Sequence, residues 1–400
     1  MVRLRLKSTF KSGMIYIFNP EHDLALANFS SNYTPPSSIL KMAQDLAVLP
    51  VWYSDRDMLV AEGVANQKYF ETIQKLFPIY TQLISYNDIS LRPDEEIIPW
   101  GWNPALCKKL KSYEVTDSQL PTIEKLQILR DYSSRKNAVQ LLKELKFENS
   151  DYCGNSFYFQ ELGDLLTYLQ STPGNKVLKM PVSGSGKGLI WIFGEITDKQ
   201  TDWCKRVIKG QGGVVAEPVL DKVVDFAMEF YLEYGIVNFT GYSLFCSAPS
   251  GAYQGNQLIS DEKIEKKLAE YVSIELLKQL KESLMIKLAE LFPDYKGYAG
   301  VDMMICNSVK GFQIQPSVEI NMRMNMGVVS RLFHNQFMSP ESEGKFVVDY
   351  FKKPGSVVNF HEKLQQELPL KVENGKIISG YLSLTPVTVD THYNVYVVVK

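Results

Sequence analysis

Apolar and polar positions along the chain change period several times. Met14–Phe18 is a short apolar run that breaks into Asn19-Pro20-Glu21-His22-Asp23 and then Leu24–Ala27, which predicts a strand, a polar loop and a helix. Asn28–Ser38 is rich in Ser, Asn and Pro and predicts a loop, followed by a helix over Ile39–Leu46 and a strand over Ala47–Tyr53. Glu95–Asn103 predicts a strand and a glycine turn, with Pro104 in the first turn of a helix. Trp100 and Trp102 flank Gly101, either packed or lining a pocket.

Leu120–Glu124 opens a helical stretch, and Ser133-Ser134 offers an N-cap for a second helix over Arg135–Lys146. Strands are expected at Lys176–Lys179, Leu189–Phe193 and Gly213–Pro218, then a pair at Phe226–Tyr234 and Ile236–Cys246. Gly251–Gly255 reads as a loop and Asp261–Leu291 as a long amphipathic helical region, its charges on a solvated face. Val301–Ile305 and Gly311–Arg323 read as two strands that a turn at Asn307–Gly311 can fold into a hairpin, bringing Asp302 toward Glu319. A helix carrying Arg331 and a packed His334 follows Gly327, and Lys376–Lys400 reads as two strands around a proline break.

Length and composition narrow this picture. Four hundred residues suffice for two or three domains. A net charge of −2 gives no reason to expect nucleic-acid binding, and no apolar run approaches a membrane span. The cysteines at 107, 153, 204, 246 and 306 lack paired spacing, so neither a zinc site nor a disulfide framework is expected, and a cytoplasmic location is. The basic start, Met1–Lys7, is expected to be an extension rather than a cleaved leader.

Chemistry concentrates in a few stretches. Glu319, Asn321 and Arg323 are spaced by two, so in a strand they share a face opposite Val318, Ile320 and Met322. A carboxylate and an amide oxygen are hard ligands suited to Mg²⁺, and a guanidinium is a fork for phosphate or carboxylate. Pro316 in the same run implies a bulged or edge strand. Lys179 ends a strand and Ser183-Gly184-Ser185-Gly186-Lys187-Gly188 follows it, a loop able to wrap an anion with backbone N–H groups. It is not a P-loop, because Pro181 stands where a glycine is required and no Ser or Thr follows Lys187. Arg135 and Lys136 occupy a helix first turn, where cations make sense beside a bound anion, though two surface cations would read the same. Glu21, His22 and Asp23 lie where an α/β sheet binds ligands, with helix capping and a solvated His22 as the plainer reading.

In this order the pieces resemble the ATP-grasp superfamily over roughly residues 120–335, most specifically at Glu319-Ile-Asn321-Met-Arg323. The resemblance implies an α/β fold with α+β character. It has an N-terminal α/β domain (14–120), a small lid domain (121–216), a C-terminal antiparallel-sheet domain (217–345) and an extension packing on the core (346–400), with Mg-ATP between lid and C-terminal domain. It implies that Lys179, the 183–188 loop and Arg135 or Lys136 contact phosphates. Glu217 would receive the adenine amino group, Val219 would offer backbone contacts, and Asp225, or its competitor Asp221, would bind ribose. Asp302, Glu319 and Asn321 would hold Mg²⁺, and Arg323 would steady a phosphoryl group or a substrate carboxylate. Glu21, His22 and Asp23 would orient an amine and Arg331 a carboxylate. The implied activity is an ATP-dependent carboxylate–amine ligase acting on small molecules related to amino acids or peptides. Kinase-like phosphoryl transfer or non-catalytic ATP binding stand as alternatives.

Overall fold

The computed structural model describes residues 13–184, 188–247 and 253–400. The N-terminal extension and Ser185, Gly186 and Lys187 of the glycine-rich loop lie outside the described residues. The chain opens with strand β1 (Met14–Ile17), helices α1 (His22–Asn28) and α2 (Ser37–Asp45), β2 (Met58–Val60), α3 (Val64–Gln74), β3 (Gln82–Ile84), β4 (Glu96–Pro99) and α4 (Pro104–Lys111). The strands form a parallel sheet ordered β3-β2-β1-β4. Ile15, Ile17, Val60, Ile84 and Ile97 of this sheet are buried with Leu106 and Leu110 of α4. Asn103 caps α4 by accepting the Leu106 N–H, with Pro104 in the first turn as expected.

Residues 47–53 do not form the expected strand. Leu49–Trp52 is a short 3₁₀ turn. Pro50 has no N–H for a ladder, and Leu49, Pro50, Val51 and Trp52 are all buried, so the apolar run wraps into the core instead of alternating.

Helices α5 (Ile123–Tyr132) and α6 (Arg135–Glu148) lead to β5 (Phe157–Phe159), α7 (Leu162–Ser171), β6 (Lys176–Lys179), β7 (Leu189–Ile192), α8 (Asp198–Gln211) and β8 (Val214–Pro218). Ser134 caps α6 through the Lys136 N–H. The strands pair antiparallel in the order β5-β8-β6-β7. Leu178, Val214 and Ala216 face α7 and α8, so Lys179, Val215 and Glu217 share the other face.

The largest sheet collects strands β9 (Asp221–Glu233), β10 (Ile236–Ser247) and β11 (Tyr253–Leu258). Helices α9 (Asp261–Leu268) and α10 (Ile274–Leu291) precede β12 (Lys296–Ser308) and β13 (Gly311–Asn321). Helix α11 (Met326–Phe337), β14 (Gly344–Tyr350), α12 (Ser356–Glu367), β15 (Lys371–Glu373), β16 (Lys376–Ser383) and β17 (Tyr393–Val399) complete it. Its nine strands run β13-β12-β9-β10-β11-β14-β17-β16-β15. The stretch expected to be a loop at 251–255 belongs in part to β11, because Gly255 lets that strand close on the backbone of Phe346, where any Cβ would meet the carbonyl. The expected helical region 261–291 is broken in two, with Ser260 and Ser273 each capping a separate helix.

One face of β9, β12 and β13 buries Phe226, Met228, Phe230, Val301, Met303, Ile305, Ile314 and Ile320 against α6 and the Leu277, Leu280, Leu284, Leu288 stripe of α10. A second core joins the 46–79 segment to α11 and β17. Its centre is Trp52, edge-on to Phe77, Phe333 and Phe337, with its indole N–H donating to the Leu384 carbonyl at 2.7 Å. Trp52→Ala is expected to lower unfolding free energy by about 3–5 kcal/mol in urea titration. Trp52→Phe, which keeps most of the packing and loses the hydrogen bond, is expected to cost less than half of that.

Candidate active site

The hairpin predicted around Asn307–Gly311 is present, and β12 pairs with β13 so that Asp302 stands directly opposite Glu319. Pro316 lies both on an edge strand and within an irregularity, because the register passes from Asp302↔Glu319 to Met304↔Gln315. The Ser317 hydroxyl in that irregularity donates to the Ala138 carbonyl of α6 at 3.1 Å, so the distortion is anchored to the helix behind it. The apolar alternation sends Val301, Met303 and Ile320 into the core and leaves Asp302, Glu319 and Asn321 on the opposite face.

These groups touch one another. The Asn321 amide donates to Asp302 Oδ2 at 3.1 Å. Arg135 Nη2 donates to Glu319 Oε1 at 2.6 Å, while its Nη1 donates to the Met180 carbonyl and to Ser183 Oγ at 2.7 and 2.8 Å. One guanidinium therefore joins the start of the glycine-rich loop to the acid of β13. The neighbouring Lys136 points elsewhere: it lies 3.8 Å from Asp131 and lines a cavity of about 280 Å³ with Arg130, Tyr158 and Gln211. The geometry thus brings Arg135, not Lys136, into the cluster.

Arg323 follows the end of β13 and is clasped by Asp23, with Nε and Nη2 donating to its two carboxylate oxygens at 2.7 Å each. Nη2 also donates to Asn321 Oδ1 at 3.3 Å. The N-terminal loop therefore reaches the end of β13, and Gly184 closes over the same carboxylate, since a Cβ there would lie 3.2 Å from Asp23 Oδ2. Burial raises the Asp23 pKa, but the Arg323 charge and hydrogen bonds outweigh it and leave the acid below its ordinary value.

His22 is buried with neither ring nitrogen partnered among the described residues, and burial lowers its pKa to about 4, so it is neutral. It packs against Gly101, where a Cβ would enter the imidazole ring. The alternative of a solvated His22 and a helix cap is not what the chain adopts. The Asn19 amide donates to the Gly101 carbonyl instead, and Glu21 occupies the cap position without a side-chain bond. Burial raises the Glu21 pKa.

On the facing four-stranded sheet, buried Lys179 and Glu217 pair at 2.7 Å, and the Ser156 hydroxyl donates to Glu217 Oε1 at 2.9 Å. The Val219 N–H donates to the Asn175 carbonyl. Asp225 lies on the same face of β9 as Glu229 and receives Lys222 Nζ at 2.5 Å, whereas Asp221 at the strand start receives the Asn307 amide. Arg331 is not drawn into the cluster. Its guanidinium donates to the Ile259 carbonyl and to Asp261 at 2.9 and 2.8 Å.

Three members, Glu229, Asn325 and Ser156, had no assigned role in the sequence. Glu229 of β9 is buried opposite Gly300 and Gly241 and accepts from the Asn325 amide at 2.9 Å, while Asn325 Oδ1 caps α11 through the Val328 N–H. Both extend visible spacings: Glu229 stands four after Asp225 in a strand, and Asn325 continues the row 319, 321, 323. Ser156 carried no such signal. Burial raises the pKa of Glu229 to about 7, against the Asn325 hydrogen bond and the Arg323 charge. Asp302 is raised well above its ordinary value by burial first, then by Glu319 and Glu229.

No protein-family model matches the chain, and no curated protein matches it. Solved structures do. A biotin carboxylase from Campylobacter jejuni, solved as a β-γ-ATP complex, superposes with a TM-score of 0.50 at 10% identity over 96% of this chain and 87% of that one. N5-carboxyaminoimidazole synthetase from Staphylococcus aureus, complexed with ADP, gives 0.49 at 11% identity over 97% and 93%. N5-carboxyaminoimidazole ribonucleotide synthetase from Thermus thermophilus gives 0.49 at 12% over 97% and 94%. The biotin carboxylase likeness shows the fold: this chain has the ATP-grasp fold.

The raised Glu229 pKa has a sign. Between its unfolded value of 4.5 and about 7 the native state holds a proton that the unfolded chain has released, so stability falls as pH rises through that window. Urea titrations of wild type and Glu229→Gln at pH 5 and pH 8 are expected to show wild type losing roughly 2–3 kcal/mol more than the variant over that range.

Proposed function

We propose that the chain is an ATP- and Mg²⁺-dependent ligase that joins a small carboxylate to an amine through an acylphosphate. The observation that carries this reading is the contact set at Glu319: oxygen donors of two strands converge with Arg135, which also holds the loop after Lys179. Asp302, Glu319 and the Asn321 carbonyl are a hard oxygen set of the kind Mg²⁺ takes, two carboxylates and an amide, and they fit that ion. When bound there, the ion would offset charge on the phosphate oxygens of ATP.

ATP would lie between the Lys179–Glu217 face of the small sheet and the Asp225–Asp302–Glu319 face of the large one. This follows the reading of 121–216 as lid and 217–345 as its counterpart, with the parallel-sheet unit 14–120 before them and 346–400 completing the large sheet. Lys179 and Arg135 supply fixed positive charge to the phosphates, and the glycine-rich loop covers them. Each of these cations is paired with an acid, Glu217 and Glu319, so binding ATP exchanges internal ion pairs for phosphate contacts. Glu217, released from Lys179, can accept from the adenine amino group. Arg323 is held in a fixed orientation by Asp23, beside the carboxylate whose activation it would steady. An amine then attacks the acyl carbon and inorganic phosphate leaves. The reaction needs no protein nucleophile. The biotin carboxylase of like fold was solved as a β-γ-ATP complex, in keeping with this assignment.

The reading predicts Mg²⁺-dependent ADP release when carboxylic acids and amines, amino acids foremost, are supplied in pairs, and little release with either alone. Glu319→Ala, folded by circular dichroism, is expected to lose at least about 100-fold in turnover. Full turnover with one hydroxyl acceptor would make it a kinase, and a fully active Glu319→Ala would remove the assignment.

A further inference from the structure

The proposed chemistry makes no use of the cavity of about 280 Å³ beside Lys136. Among the described residues, neither Arg135 nor Lys179, Asp302 or Glu319 lines it. Local sequence shapes its walls. Gly212 takes a left-handed φ of 83° and ends α8. Gly213 lets Tyr158 lie against the backbone, since a Cβ at 213 would enter the phenol ring. Gln211 Oε1 accepts the Val182 N–H at 2.8 Å, and the neighbouring Pro181 carbonyl accepts the Arg135 N–H at 2.8 Å. One wall is therefore the segment that leads into the glycine-rich loop. In the small sheet Tyr158 stands opposite Val215, and Val215 opposite Lys179. Two strand spacings, about 10 Å, separate Tyr158 from Lys179.

Donors outnumber acceptors around this space. Arg130 gives Nη2 to the Ala27 and Gly210 carbonyls at 3.0 and 3.4 Å and rests on the Phe29 ring at 5.2 Å. Its Nε and Nη1, and the Tyr158 hydroxyl, have no hydrogen-bond partner among the described residues. Lys136 lies 3.8 Å from Asp131, beyond hydrogen-bond reach. It also stands in the first turn of α6, where the helix dipole disfavours a cation unless an anion is near. Two cations thus face one acid, and neither is hydrogen-bonded to it.

We propose that this cavity is an anion site that takes phosphate, either free or as the end group of a small metabolite. A guanidinium fork, an ammonium and a phenol approach from three elements, α5, α6 and β5. That set suits a dianion with three oxygens to share, whereas a planar carboxylate would be satisfied by the Arg130 fork alone. Phosphate bound there touches the segment before Ser183 and links it to α5 and α6, so occupancy of the cavity acts on the base of the glycine-rich loop. The site does not depend on the ligase reading.

The test is calorimetric titration of the intact chain with inorganic phosphate at constant ionic strength, which is expected to show saturable binding that chloride does not reproduce. Lys136→Gln and Tyr158→Phe, each folded by circular dichroism, are expected to weaken it roughly tenfold. Glycerol 3-phosphate binding more tightly than phosphate would assign the site to a metabolite's end group, and equal or weaker binding would assign it to free phosphate. Phosphate binding is expected to persist under a saturating non-hydrolysable ATP analogue with Mg²⁺. Absence of saturable binding, unchanged affinity in both variants, or loss of phosphate binding to the analogue would overturn the proposal. An analogue that does not bind, with phosphate binding still weakened in the variants, would remove the ligase reading and leave this site in place.

Discussion

The pairing of β12 with β13 is the constraint on which the site rests. A strand has two faces, and a slip of one residue would turn Asp302, Glu319 and Asn321 into the core and expose Val301, Met303 and Ile320. The apolar set packed on α6 and α10 therefore fixes the register, and the register fixes the acids. The irregularity at Pro316 adds length to β13 without changing parity, since Gln315 and Glu319 still face the side of Met304 and Asp302. Proline suits that place because the ladder asks no N–H of it there.

Around this pair the chain arranges three ion pairs, Arg135–Glu319, Arg323–Asp23 and Lys179–Glu217. Each joins segments far apart in sequence or on different strands, and each lies largely out of water. Such pairs add little net stability, because desolvation offsets most of the attraction. What they do is hold charged groups at defined positions without leaving any of them buried and bare. Arg323 illustrates this: its donors are divided between Asp23, Asn321 and the Met324 carbonyl, so the guanidinium has one orientation. Arginine rather than lysine is required for that division, since only a planar fork serves three acceptors in fixed directions.

Much of this was legible from the chain. The alternation through Gly311–Arg323 predicts the polar face, because a strand that buries one side leaves a strict record of it, while the turn at Asn307–Gly311 predicts the hairpin and Pro316 a bulged or edge strand. Ser134 marks the start of α6 and Pro104 that of α4 for similar reasons of local chemistry. Leu49–Trp52 was not legible as a turn, because an all-apolar run of that length is compatible with any element the core will accept. Asp23 and Arg323 were each visible, but their pairing across 300 positions was not, since no local pattern encodes a contact between the first loop and the last strand of the site. The choice between Arg135 and Lys136 likewise needed the helix orientation, which the cap sets only once Ser183 and Glu319 are in place.

Glu229 carries the argument one step further. Its carboxyl is fully buried and kept from water by close backbone approach: a Cβ at Gly300 or at Gly327 would run into it. Those glycines weaken a strand and a helix start, and the acid itself costs desolvation free energy. A core optimised for stability would place a larger apolar residue there, with no glycines around it. The carboxyl instead reaches the Asn325 amide, and Asn325 fixes the first turn of α11 immediately after Arg323. The sheet that carries Asp302 thus dictates where the helix beside Arg323 begins, and stability is given up to hold the two in one geometry.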